Sequence, residues 1–301
     1  MIDYRNIIKN RELRLKLINL LRFIPDEPYL KMVFWIKTGK KLNLKNPKTF
    51  CDKLNWLKLH NRHSEFTRMV DKVAVKAYLQ DILGEDICLP MLGHWEHYDD
   101  IDFDALPDRF VLKCNHDSGS TKVILDKPAM DHGALRKFFE GRLALNPFVL
   151  GREYPYRDVK PCICAEEYMV PDGENDIHDF KFMCFNGKPE IMYIITDRSN
   201  GGRKDFYDMD FNHLPVTGVY PNADHPLPKP RGFEQMKALA AKLCKGTDFV
   251  RVDFYEIQGK VYFGEFTFFD DGGFWPKEPE EWELKMGSWI DIHSPKIVKK
   301  S

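Results

Sequence analysis

Phe249-Val250-Arg251-Val252-Asp253-Phe254, followed after a Gln258-Gly259 turn by Val261-Tyr262-Phe263-Gly264-Glu265-Phe266-Thr267, reads as two apolar strands of one hairpin. Each strand carries an isolated carboxylate among apolar and aromatic neighbours. Residues beside an antiparallel ladder meet at close range, so Asp253 and Glu265 are expected to face each other on one side. Two anions held that close raise each other's pKa unless a cation sits between them. Mg²⁺ is the usual hard cation for two carboxylates that also serves nucleotide phosphates. A surface hairpin with two solvated acids fits the same letters, and the hairpin alone does not choose between the two.

Working outward, the chain has 301 residues, enough for one large domain or two to three smaller ones. Hydrophobic content of 43% with 30% charged residues describes an ordinary globular protein, and a net charge of −1 favours neither nucleic acid nor membrane in bulk. The seven cysteines form no regular framework; Cys162-Ile163-Cys164 is too close for a zinc pair and no second pair follows at ligand spacing. They are expected to be reduced thiols of a cytoplasmic protein. The N-terminus is charged from Asp3 onward, without the apolar core of a secretory signal, and the apolar runs are too short to span a bilayer.

Residues 11–24 place Leu13, Leu17, Leu20, Leu21 and Ile24 at helical spacing with Arg14, Lys16 and Arg22 between, and Pro25 should end the helix. Such a basic amphipathic helix suits either an anionic membrane or the protein's own core, and the core is favoured. Residues 29–60 are basic and aromatic, which suits base stacking but reads best as a helical layer with solvated lysines. A helix is expected from Asp71-Lys72 to about Leu83. Residues 109–125 form a hairpin with a flexible tip, 131–145 a helix, and Cys162–Val170 a strand. Strands 179–185 and 189–196 join at the Asn186-Gly187 turn, 197–205 is mobile, and 233–245 is a helix ending at Gly246.

Two sites stand out besides the hairpin. Lys113 ends a strand and is followed by the polar loop Asn115 to Lys122, whose backbone N–H groups could close over phosphates while the ammonium neutralises charge. Neither a Walker loop nor a Rossmann fingerprint is present. Glu166-Glu167-Tyr168-Met169 suits a strand that lines a purine slot.

In order, "NPKTFCDKLNWLKL", "DKVAVKAYL", "LPDRFVLKCNHDSGS", "EEYM", "HDFKFMCFNGKPEIMYIITDR", "YDMDFN", "FVRVDFYEIQGKVYFGEFTF" and "MGSW" resemble the ATP-grasp superfamily, and more narrowly its TupA-like branch, found with bacterial capsule and teichuronopeptide synthesis. The resemblance covers about residues 40–290. It implies an α+β ATP-grasp fold: a helical N-terminal layer (1–71), a lid subdomain (72–165) and a C-terminal subdomain (166–301), with ATP clasped between. It implies that Lys72 and Lys113 hold the phosphates under a lid loop of His116, Ser118, Gly119 and Ser120. Glu166, Glu167, Tyr168 and Met169 would form the adenine hinge, and Asp179 would bind ribose. Lys181 and Arg251 would act at the transferred phosphate, and Asp253, Glu265 and Thr267 would bind Mg²⁺. Thr267 stands where most relatives carry Asn. Asp270-Asp271 adds negative charge beside the metal, which is expected to bind an amine substrate or an extra cation.

The implied chemistry is amide formation through an acyl phosphate, from a small-molecule carboxylate and an amine. By the same resemblance the carboxylate is a uronic acid of a surface polysaccharide or its nucleotide-linked precursor. Contact with the membrane polysaccharide machinery is possible, and no nucleic acid partner is expected. Rival readings are a glycosyltransferase using Asp208-Met209-Asp210 as an Asp-x-Asp metal motif, an ATP-dependent sugar kinase, and a non-catalytic nucleotide-binding module.

Overall fold

The computed structural model describes residues 20–170, 178–196 and 201–293. Most of the expected 11–24 helix and part of the 197–205 stretch therefore lie outside the described residues. Leu20 is helical, residues 21–23 form a single 3₁₀ turn, and the chain has left helix by Pro25, which is also the N-cap of α1 (Asp26–Thr38). After α2 (Phe50–His60) and α3 (Glu65–Val70), helix α4 covers Ala74–Leu83 and stops at the left-handed Gly84. Asp71 and Lys72 thus precede that helix rather than open it.

Two sheets follow. The smaller contains β1 (Met91–Trp95), β2 (Phe110–Cys114), β3 (Lys122–Ile124) and β4 (Ile163–Glu167) in the order β1-β4-β2-β3, with α5 (His132–Leu143) packed on it. The short helix α6 (Phe148–Gly151) leads back towards β4. The larger sheet contains β5 (Asp179–Phe185), β6 (Lys188–Thr196), β7 (Arg203–Asp208), β8 (His213–Leu214), β9 (Phe249–Ile257) and β10 (Lys260–Thr267), in the order β10-β9-β5-β6-β7-β8. Helices α7 (Phe233–Leu243) and α8 (Glu280–Ser288) complete the fold. All pairings within both sheets are antiparallel. Residues 203–205, expected to be mobile, start β7.

Side chains alternate across a strand, and here the alternation separates core from site. Phe180, Phe182, Val252 and Phe254 lie opposite one another and are at most 6% exposed. Phe182 meets Phe233 of α7 with centroids 5.9 Å apart. Burying each such ring contributes about 1.5–3 kcal/mol. The other face carries Asp179, Lys181, Arg251, Asp253 and Tyr255. The large-sheet core also takes Phe50, Leu54 and Leu57 of α2, Phe66 and Met69 of α3, and Tyr78 and Leu79 of α4, so the chain's early helices pack with its last strands.

Helix α2 is the brace. Thr49 and Asp52 form a capping box at its start, and the Cys51 N–H donates to Glu283 of α8 at 2.7 Å. Helix α8 lies so close to the start of α2 that a Cβ on Gly287 would come within 2.1 Å of the Lys48 carbonyl oxygen, just before that helix.

Candidate functional site

The site face of the large sheet is built around Arg251. Its guanidinium donates to both Asp253 carboxylate oxygens at 2.7 Å, to Glu265 Oε1 at 3.2 Å, and to the Tyr193 hydroxyl and Asp270 Oδ1 at 3.0 Å each. Burial alone would lower its pKa; Asp253, Tyr193 and Asp270 reverse that and hold it well above the usual range. Lys181, directly across the ladder from Asp253, also pairs with that carboxylate, and lies 3.6 Å from Asp179. The cation between Asp253 and Glu265 in this structure is therefore the chain's own arginine.

The meeting of those two carboxylates depends on a bulge. Phe263 lies opposite Phe254, and Phe266 opposite Val252, so Gly264 and Glu265 together oppose Asp253. Without the extra residue, strand parity would set Glu265 on the Phe254 and Val252 face, inside the core. Glycine suits position 264, because a Cβ there would come within 3.1 Å of the Asp253 carbonyl oxygen. Thr267 returns to the regular ladder opposite Arg251, with its hydroxyl 3.4 Å from Glu265 Oε1. Burial would raise the Glu265 pKa, but Lys72, Lys181 and Arg251 outweigh it and hold the group below its ordinary value. Glu265 keeps a side-chain exposure of 35%, and its Oε2 makes no hydrogen bond among the described residues.

The small sheet supplies the opposite wall. Lys113 of β2 pairs with Glu166 of β4 at 2.5 Å; the carboxylate outweighs burial and raises the lysine's pKa. A cavity of about 470 Å³ opens between the sheets, within the size range of small-molecule sites. Val111, Lys113, Val123 and the run Glu166 to Val170 line it from one side, and Asp179 and Tyr255 from the other. Lys72 sits at its end: its Nζ donates to the Asp117 carbonyl at 2.7 Å, and it shares a crevice with Lys113, Glu166 and Tyr255.

The loop after Lys113, expected to be a flexible tip, is anchored. Asn115 bonds Asp71, the Lys160 carbonyl and the Cys162 N–H at 2.8–3.0 Å. Ser120 Oγ accepts from the Cys114 N–H at 2.9 Å, and Asp117 pairs with Arg142. The two His116 ring nitrogens lie 3.3 Å from Asn115 Oδ1 and 3.2 Å from the Leu145 carbonyl oxygen. His116 and Ser120 are thus buried supports of the loop, while Ser118 and Gly119 are its exposed crest.

Sequence reading missed Tyr193, Lys204, Lys277, Lys58 and Glu153. Asp270 and Asp271 are not an open acidic patch. Lys277 lies 3.0 Å from Asp270 and 2.8 Å from Asp271; Lys204 lies 3.0 Å from Asp271; Tyr193 donates to Asp270 at 2.7 Å. Burial would raise the Asp270 pKa, but Lys204, Lys277 and Arg251 hold it well below the usual carboxylate range. The expected external cation or amine at these acids is corrected by internal lysines. Asp271 and Gly272 turn through left-handed conformations (φ 50° and 66°), and α2 holds the turn: Asn55 donates to the Gly273 carbonyl at 2.7 Å and Lys58 to that of Gly272 at 2.6 Å. The Glu153 carboxylate lies against Gly272 and makes no hydrogen bond or ion pair among the described residues. Burial raises its pKa, opposed by Lys58, Lys37 and Arg251.

Asp208-Met209-Asp210 has a different job. Asp208 accepts from the Asp210 and Asn212 N–H groups at 2.9 and 2.8 Å and from the Asn212 side chain at 2.9 Å. Both its oxygens close the β7–β8 turn, a structural role that accounts for Asp208 without a metal.

The donors Asp253, Glu265 and Thr267 are oxygen only and half open on the Glu265 side, which fits a hard divalent cation. Among the described residues no three His, Cys, Asp or Glu side chains converge as a metal nest. A divalent ion here would need further oxygens from phosphate or water.

No curated protein matches the chain. Solved structures similar to it include D-alanine–D-alanine ligase from Bacillus anthracis complexed with ATP, at 18% identity and TM-score 0.40, covering 66% of this chain and 54% of that one. Phosphoribosylamine–glycine ligase from Thermotoga maritima matches at 13% identity and TM-score 0.42, covering 67% and 48%. The ATP-grasp ligase PsnB with its minimal precursor matches at 11% and 0.39, covering 72% and 58%. The chain thus spans about half the length of these proteins. The family model for TupA-like ATP-grasp matches residues 52–291. That match takes in α2, both sheets and α8, and the chain belongs to the TupA-like ATP-grasp family.

Proposed function

We propose that the chain is an ATP-dependent carboxylate–amine ligase. The observation that carries this reading is that Lys72 and Lys113, on the small-sheet side of the cleft, lie close enough to act on the charge of Glu265, which shares one face of the large sheet with Lys181, Arg251 and Asp253. Lys72, Lys113 and the crest at Ser118 and Gly119 would hold the triphosphate. Glu166 to Met169 would line the adenine and Asp179 the ribose. Asp253, Glu265 and Thr267 would hold Mg²⁺, which when bound neutralises phosphate charge. Lys181, paired with Asp253 and 3.6 Å from Asp179, would supply positive charge near the transferred phosphate. Arg251 is also held by the Tyr193 hydroxyl and Asp270, neither of them assigned to the metal, so its positive charge would stay in place with Asp253 and Glu265 turned to Mg²⁺.

The substrate carboxylate oxygen would attack the γ-phosphorus and ADP would leave, giving an acyl phosphate. The amine would attack the acyl carbon, lose a proton and expel phosphate as the amide forms. No protein nucleophile is required. The donor is proposed to be a uronic acid of a surface polysaccharide or its nucleotide-linked precursor, and the acceptor an amino acid or amino alcohol; family resemblance alone supports these identities. A cytoplasmic location is proposed on the seven free cysteines.

The test is ADP and phosphate release with Mg²⁺–ATP over UDP-uronic acids crossed with amines, beside an Asp253→Asn, Glu265→Gln double variant. Turnover that needs both substrates and disappears in the variant is the expected result. A stable phosphoester formed without amine would make the enzyme a kinase. UDP release without ADP would return the glycosyltransferase.

A further inference from the structure

The net charge of −1 hides a division. Residues 1–60 contain 14 Lys and Arg against 5 Asp and Glu, so they carry +9 and the remainder −10. The acids of this basic stretch that the structure describes are already engaged: Asp26 by Arg62 and Arg152, Glu27 by Lys31, and Asp52 in the α2 capping box. Arg22, Lys40, Lys41, Lys45 and Lys48 are exposed and make no ion pair among the described residues.

Aromatic exposure falls in the same place. Phe23 is 78% exposed and Trp35 61%, and they are the only aromatic side chains exposed by more than about a third among the described residues. Ile36, beside Trp35, is 40% exposed. Helix α1 does not need these residues for its own docking, since Tyr29, Leu30 and Phe34 already fill its inward face at 4% exposure or less. Single exposed apolar residues are ordinary. An exposed Trp-Ile pair followed within five residues by Lys40-Lys41 combines the two elements of interfacial binding, an apolar wedge and cations for anionic headgroups.

We propose that this N-terminal face docks on an anionic phospholipid surface, with Phe23, Trp35 and Ile36 entering the headgroup layer and the surrounding lysines and Arg22 pairing with lipid phosphates. Charge selects this occupant over residues 1–19, which carry five basic against two acidic residues and would be repelled by the same lysines. The aliphatic Ile36 selects it over a single-stranded nucleic acid, whose bases stack on aromatic faces and whose backbone needs only cations. The proposal is independent of the ligase reading, because none of these residues lines the cleft.

The test is co-sedimentation of the full chain with vesicles of phosphatidylcholine alone or with about one third phosphatidylglycerol, at ~0.05 and ~0.5 M NaCl. Binding to the anionic vesicles only, released by salt, is expected. Phe23→Ser with Trp35→Ser should weaken it at least ~10-fold, and Lys40→Glu with Lys41→Glu should abolish it, with melting temperature and cleft-side ATP binding unchanged. Absence of vesicle binding, equal binding to neutral vesicles, or indifference to both variant pairs overturns the proposal. So does retention by a poly(dT) column without vesicle binding, or a dimer in light scattering that Trp35→Ser dissociates.

Discussion

Lys58 is fully enclosed, with its ammonium on the Gly272 carbonyl and 4.0 Å from the Phe274 ring centroid. Burial lowers its pKa from 10.5 to about 7, against the opposing pull of Glu153. A lysine depressed in the folded state contributes stability above its unfolded pKa and loses it as pH falls through the folded value. Between 7 and 10.5 the unfolded chain therefore binds the extra proton, and stability rises with pH. Glu153 works the other way: its raised pKa favours the fold below 4.5 and that gain is lost as pH rises through its folded value. The wild-type melting temperature should climb from pH 7 to 9, and Lys58→Met should flatten that limb; parallel curves would refute the assignment. Legibility at this scale followed distance along the chain. Lys113, Asp253 and Glu265 were visible because each interrupts an apolar strand. Lys204 and Lys58 were not, because Lys204 meets Asp271 across 67 residues and Lys58 meets Gly272 across 214.

Among the elements, the β9–β10 hairpin was legible from alternation and its Gln258-Gly259 turn, and β5–β6 from Asn186-Gly187. The bulge at Gly264 was not, since counting from the turn puts Glu265 out of phase with Asp253. The dependence of the Asp270–Gly273 turn on α2 was equally hidden, since that helix was expected only as part of a helical layer over 29–60. The brace behind that turn gives a prediction. Gly287→Ala would push a Cβ into the Lys48 carbonyl and the Thr49 backbone, neither of which is a flexible side-chain end. Overpacking of this kind costs about 3 kcal/mol. The urea midpoint should fall with unchanged m-value, and ATP turnover should fall with it because α2 aims Asn55 and Lys58 at the turn. A variant as stable as wild type would mean that α8 can slide away without loss.

For the whole molecule, the cleft is shared by two sheets with separate cores. A ligand that touches both stabilises the folded chain by mass action, about 2.7 kcal/mol at a hundredfold excess over Kd. Mg²⁺–ATP should raise the melting temperature by roughly 5 °C. The rise should shrink with EDTA and vanish in Lys113→Met, each variant read against its own ligand-free melt. An equal rise in that variant would place the nucleotide elsewhere. Family membership and α+β architecture were both readable, because the ordered motifs survive in sequence where each is locally specified.

The β5–β6 and β9–β10 hairpins, their turns and the isolated charges were readable from neighbours a few residues apart, and the family from the order of short motifs along the chain. Long-range packing alone sets Arg251 between the two carboxylates, pairs Lys204 and Lys277 with Asp270 and Asp271, and anchors the loop after Lys113. Those outcomes depend on which groups share a desolvated volume. A buried charge must find its partner wherever the fold puts one, and no spacing along the chain records that choice.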